Sequence, residues 1–122
     1  MTKILVIDDE ENIVQTLRYN LLREGYVVSI CTDGRQGLAL FKQETFDLVI
    51  LDLMLPGISG LDIYRYMRNS PVPVLILSAL EKQVASVAGT DMALENYMTK
   101  PFNLRELLGQ VRSLINRPGR VV

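Results

Sequence analysis

Short, unbroken apolar runs recur along this chain of 122 residues, and they constrain its fold more than any other feature. Ile4-Leu5-Val6-Ile7, Leu48-Val49-Ile50-Leu51 and Val74-Leu75-Ile76-Leu77 contain no polar position. A strand with one wet face alternates polar and apolar residues, so a continuous run belongs to a strand covered on both faces, as in parallel sheets flanked by helices. Strands are expected near 3–7, 26–31, 46–51, 72–77 and 95–99, with the first, third and fourth at the centre. Between them lie amphipathic segments near 11–24, 34–43, 60–69, 81–92 and 103–116. The alternation predicts an α/β fold, a five-stranded parallel sheet that is doubly wound. The first helix carries Ile13, Val14, Leu17, Leu21 and Leu22 on one stripe and stops at Gly25; the last carries Leu104, Leu107, Leu108, Val111, Leu114 and Ile115. Asn103 caps that last helix in this reading, with Glu106 as partner in a capping box.

Composition excludes several functions. Apolar residues make up 48% and charged residues 22%, as in an ordinary globular domain, and a net charge of -1 creates no field to recruit nucleic acid or an anionic membrane. Histidine is absent, which removes catalytic triads, zinc sites that need an imidazole and phosphohistidine carriers. The lone Cys31 cannot form an internal disulfide and reads as a small hydrophobe in a strand, consistent with a reducing, cytoplasmic setting. Only four apolar residues follow Met1-Thr2-Lys3, too few for a signal peptide, and no run is long enough to span a bilayer. One domain is expected over residues 1–116, and 117–122, with Pro118-Gly119, reads as the start of a linker or a cut end.

Parallel strands with right-handed crossovers bring their carboxyl ends to one edge of the sheet, where ligands bind. Asp8 and Asp9 follow the first run, Asp52 closes the third and Lys100 follows the fifth strand. Several carboxylates at neighbouring strand ends repel one another unless a cation sits among them, and a set of oxygens without imidazole or thiolate suits a hard ion, Mg²⁺ first. Each residue also has a purely structural reading. Asp8, Asp9 and Ser78 are good helix caps, Lys100 could be a solvated lysine, Tyr97 half-buried core, and Glu10 a first-turn charge facing the helix dipole.

Four blocks, in order and at matching separations, carry a resemblance: Ile4-Leu5-Val6-Ile7-Asp8-Asp9-Glu10, Asp47 through Gly57, Pro73 through Ala79, and Lys100-Pro101-Phe102. Over residues 3–116 the chain resembles the receiver domain of bacterial two-component response regulators. The resemblance implies a flavodoxin-like sheet of order 2-1-3-4-5 and a switch in which Asp52 accepts a phosphoryl group from a sensor histidine kinase. It implies Mg²⁺ bound by Asp9, Asp52 and the backbone carbonyl of Met54, with Asp8 acting through a metal-bound water. Lys100 and Ser78 then contact the phosphoryl oxygens, and Ser78 couples to an inward turn of Tyr97. Such a domain catalyses its own phosphorylation and dephosphorylation without turning over an external substrate. Met54 and Leu80, two residues beyond Asp52 and Ser78, are apolar and predict slow self-dephosphorylation.

Leu53-Met54-Leu55-Pro56-Gly57 and Lys100 through Leu107 are most similar to the winged-helix transcription-factor subfamily. That implies DNA as a partner through a further domain, since these residues hold no basic recognition helix. It also implies a homodimer through the face of the fourth predicted helix, fifth strand and fifth helix. The chain departs from the subfamily there: Ala93-Leu94-Glu95-Asn96 stands where Gly-Ala-Asp-Asp is usual, and Gln110 where Arg is common. Together these remove one salt bridge and leave Glu106 and Arg112 as charged residues of that helix. Alternative readings are a stand-alone receiver, an interaction module that works without phosphorylation, and a phosphohydrolase with an aspartyl-phosphate. The last requires Asp-x-Asp after the first strand, which Asp8-Asp9-Glu10 does not supply.

Overall fold

The computed structural model describes residues 1–79 and 96–116. In chain order they form β1 (Lys3–Ile7), α1 (Glu11–Arg23), β2 (Val27–Cys31), α2 (Gly34–Gln43), β3 (Leu48–Asp52), α3 (Gly60–Met67), β4 (Val74–Ser78), β5 (Tyr97–Thr99) and α4 (Leu104–Ile115). All neighbouring strands pair in parallel, in the order β2-β1-β3-β4-β5. The helix expected near 81–92, together with Leu80, Met92 and Ala93-Leu94-Glu95, lies outside the described residues.

The apolar runs build two cores rather than one. Side chains on a strand alternate between faces, so Ile4, Val6, Leu48, Ile50, Leu75 and Leu77 pack with α1 and α4 on one side. Their neighbours Leu5, Ile7, Val49, Leu51 and Ile76 pack with α3 on the other, against Ile63 and Met67. An uninterrupted run therefore feeds both layers. Truncating one of these buried side chains to alanine costs about 2–5 kcal/mol, so the sheet centre resists distortion and fixes where its strands end.

Helix boundaries follow local chemistry. Asp33 caps α2 by accepting from the N–H groups of Arg35 and Gln36, and Asn103 caps α4 by accepting from Glu106 N–H at 3.0 Å. Gly25 turns the chain from α1 toward β2 at φ 93°, a left-handed conformation that suits glycine. One expectation needs correction. Leu22 is not on the buried stripe of α1 but 46% exposed, because Val14, Leu17 and Leu21 already fill the contact with the sheet. Arg112, one of the charged residues left on α4, ion-pairs with Glu24 after α1 at 2.6 Å.

Candidate functional site

Register decides which acids meet. Ile7 pairs with Leu51, so Asp8 and Asp52 leave the sheet side by side at its carboxyl edge. Asp52 pairs with Leu77 and Ser78 with Thr99, which places Lys100 one residue beyond the neighbouring strand ends. Carboxylate oxygens of Asp8, Asp9 and Asp52 lie within 4.8 Å of one another. Asp8 and Asp52 are 1% and 2% exposed, whereas Asp9 faces solvent.

Lys100 sits among these acids rather than in water, with its side chain 8% exposed. Its Nζ is 2.8 Å from Asp8 Oδ2, 3.2 Å from Asp52 Oδ2 and 3.2 Å from Glu10 Oε1. The Lys100–Pro101 peptide bond is cis. Turn geometry holds the carboxylates in place: Met54 N–H donates to Asp52 Oδ1 at 3.0 Å, and Glu10 N–H donates to Asp8 Oδ1 at 2.9 Å. Asp8 thus also holds the turn into α1, whose N-cap is Glu10 and not Asp8.

Electrostatics at the site remain unbalanced. Burial pushes the Asp52 carboxyl above its ordinary range and the charge of Asp8 adds to this, while the Met54 amide and Lys100 oppose without cancelling it. Burial alone would lower Lys100, but contact with Asp8 and the charges of Asp52 and Asp8 outweigh it and raise the ammonium. Asp8 Oδ2 is buried and accepts no hydrogen bond; its ion pair with Lys100 lacks that geometry. A buried carboxylate oxygen without a donor is costly. Three converging carboxylates, one with an unsatisfied oxygen, fit a hard divalent cation, and Mg²⁺ accepts such oxygen ligands.

Other expected residues fall at different distances from this cluster. Met54 is 46% exposed, two residues beyond Asp52. Tyr97, in β5, is 44% exposed and lines an open hollow with Glu106 and Gln110. Ser78 ends β4, and its side chain lies outside what is described. Cys31 is half-buried at the end of β2, where burial and then Asp33 push its thiol up, as expected of a packing residue. Glu10 does more than act as a charge at the start of α1. It occupies the N-cap of α1 without capping through its side chain, which turns instead to Lys100. Its place directly after Asp8-Asp9 was the available signal; its partner is 90 positions away.

A doubly wound parallel sheet with an acidic cluster and a buried lysine at its carboxyl edge defines a class of α/β proteins that handle phosphate with a hard metal ion. Residues 4–112 match the family model described as "Response regulator receiver domain". The chain belongs to that family. It is 38% identical over 120 residues to the sensory transduction protein RegX3 of Mycobacterium tuberculosis, covering 98% of this chain and 53% of that protein. It is 40% identical over 117 residues to the alkaline phosphatase synthesis transcriptional regulatory protein PhoP of Bacillus subtilis, covering 94% of this chain and 49% of PhoP. The chain thus spans about half the length of these curated relatives. A crystal structure of the response regulator TrrA from Thermotoga maritima, in complex with Mg²⁺-BeF, matches with a TM-score of 0.83 at 35% identity, covering 93% of this chain and 99% of that one. No helix among the described residues is long and apolar enough to cross a membrane.

Proposed function

We propose that residues 1–116 act as a phosphorylation switch in which Asp52 is the phosphoacceptor. The observation that carries this reading is the convergence of Asp8, Asp9 and Asp52 within 4.8 Å beside the buried Lys100. One carboxylate oxygen of Asp52 attacks the phosphorus of a phosphohistidine on a sensor kinase. The phosphorus–nitrogen bond breaks and the imidazole leaves with the electron pair. The Met54 amide fixes the orientation of the attacking carboxylate through Oδ1. Lys100 then pairs with a phosphoryl oxygen, and the Ser78 hydroxyl donates to another.

Asp9, Asp52 and the Met54 carbonyl would hold Mg²⁺, with Asp8 acting through water. The bound ion supplies positive charge that offsets the negative charge on the transferring oxygens. The complex of the related TrrA with Mg²⁺-BeF supports this assignment. Tyr97, partly exposed in β5, is the residue whose ring turns inward when Ser78 engages the phosphoryl group.

The output in this reading is transcription regulation in the cytoplasm, through a DNA-binding domain beyond residue 116, in keeping with the regulatory name of PhoP. Dimerisation through the Tyr97, Glu106 and Gln110 face is weaker than in the subfamily. Gln110 carries no charge there, and Arg112 is engaged with Glu24. Incubation with acetyl phosphate and Mg²⁺ tests the switch: the chain gains one phosphoryl group and Asp52→Asn gains none. Labelling that persists in Asp52→Asn refutes the assignment.

A further inference from the structure

We propose that Glu10 is a built-in competitor for Lys100: before Asp52 is modified its carboxylate holds one donor of the ammonium, and a phosphoryl oxygen takes that donor by displacing Glu10. This rests on the phosphoacceptor reading of Asp52.

An ammonium has three N–H donors and no acceptor. Lys100 Nζ donates to Asp52 and to Glu10, each at 3.2 Å, and stands 2.8 Å from Asp8 Oδ2 in an ion pair without hydrogen-bond geometry, so three carboxylates compete for one ammonium. An oxygen arriving on Asp52 competes with them for that ammonium. Asp8 and Asp52, with side chains 1% and 2% exposed, have no water to turn to. The Glu10 side chain is 56% exposed and rehydrates as it lets go.

The rest of Glu10 stays in place meanwhile. Its N–H is held by Asp8 Oδ1 at 2.9 Å, and its carboxylate makes no capping bond to α1 that its departure would break. Only side-chain torsions separate the two positions. Glu10 is therefore a positioning residue, keeping the ammonium at the mouth of the site until the phosphoryl group claims it.

Beryllofluoride, a tetrahedral stand-in for the phosphoryl group, is titrated into the chain at saturating Mg²⁺ and followed by fluorine NMR. Because an exposed pair contributes little, Glu10→Ala should half-saturate at about three- to five-fold lower beryllofluoride, at most about 1 kcal/mol at 1.4 kcal/mol per decade. Glu10→Gln keeps a weaker neutral acceptor and should fall between wild type and Glu10→Ala. The gap should narrow at high salt, which screens exposed charge, while the melting temperature without beryllofluoride barely moves. Unchanged or weaker binding by Glu10→Ala overturns the competition and leaves the phosphoacceptor reading standing. Equal gains in both variants also overturn it, since general charge repulsion then suffices. If wild type and Glu10→Ala alike fail to bind beryllofluoride, the reading of Asp52 falls and the competition with it.

Discussion

Lys100 Nζ stands 2.8 Å from Asp8 Oδ2, an oxygen with no hydrogen bond of its own, so the ammonium is the counter-charge for a buried carboxylate oxygen that no donor satisfies. Burial on both sides makes this contact unlike a surface ion pair. Removing one partner of a buried pair leaves an uncompensated charge and is far more damaging than losing an exposed pair.

Lys100→Met should therefore destabilise the metal-free chain by about 3–5 kcal/mol. Saturating Mg²⁺ should restore much of the loss, because the cation replaces the missing charge between Asp8 and Asp52. Urea denaturation with and without Mg²⁺ measures both. A loss that Mg²⁺ does not reduce would show that the carboxylates do not share a cation site.

The raised Asp52 carboxyl makes stability depend on pH. Its folded value lies above the ordinary 3.8, so the folded state binds the proton more tightly than the unfolded chain does. Stability from this group is then lost as pH rises from about 3.8 through the folded value, the reverse of an acid held down by a salt bridge. Lys100, raised above 10.5, contributes stability that is full below that value and lost at more alkaline pH. Metal-free Asp52→Asn should accordingly gain on wild type as pH rises from 4 to 7. A constant difference across that range contradicts the sign.

Met54 is apolar, 46% exposed and two residues beyond Asp52, and in the proposed switch it shields the phosphoryl group from attacking water. Replacing it with Asn should speed loss of the phosphoryl group by about 3–10-fold, a barrier change of the order of 1 kcal/mol. The decay of phosphorylated protein after removal of the donor gives the rate. Identical decay in both proteins excludes a shielding role.

Gly60 opens α3 against the backbone that follows Asp52, and a Cβ there would lie 2.5 Å from both Cα and O of Leu53. Backbone cannot swing aside as a side-chain tip can. Gly60→Ala should cost about 1–3 kcal/mol of stability and slow phosphorylation, because the Asp52–Met54 turn shifts with Leu53. Thermal unfolding together with labelling by acetyl phosphate reports both, and normal labelling would separate α3 packing from the site.

Much of the fold was legible because its signals are local. The runs ending at Ile7, Leu51 and Leu77 lie in β1, β3 and β4, Asn103 caps α4, and Gly25 turns the chain after α1. Leu22 was misjudged because a periodic stripe says which residues share a helix face but not how wide a contact the sheet offers. Arg112 and Glu24 are 88 positions apart, and no periodicity links them.

What the sequence determined by itself was the kind of element each described segment forms and the arrival of Asp8, Asp52 and Lys100 at strand ends. Hydrophobic period and turn chemistry act over a few residues, so a linear reading captures them. Only the tertiary structure decided that Glu10 and Asp8 share Lys100, that Asp8 Oδ2 is left without a donor, and that Arg112 turns to α1. Those facts depend on strand register and on distances between packed layers, which arise only once the whole sheet has closed around its two cores.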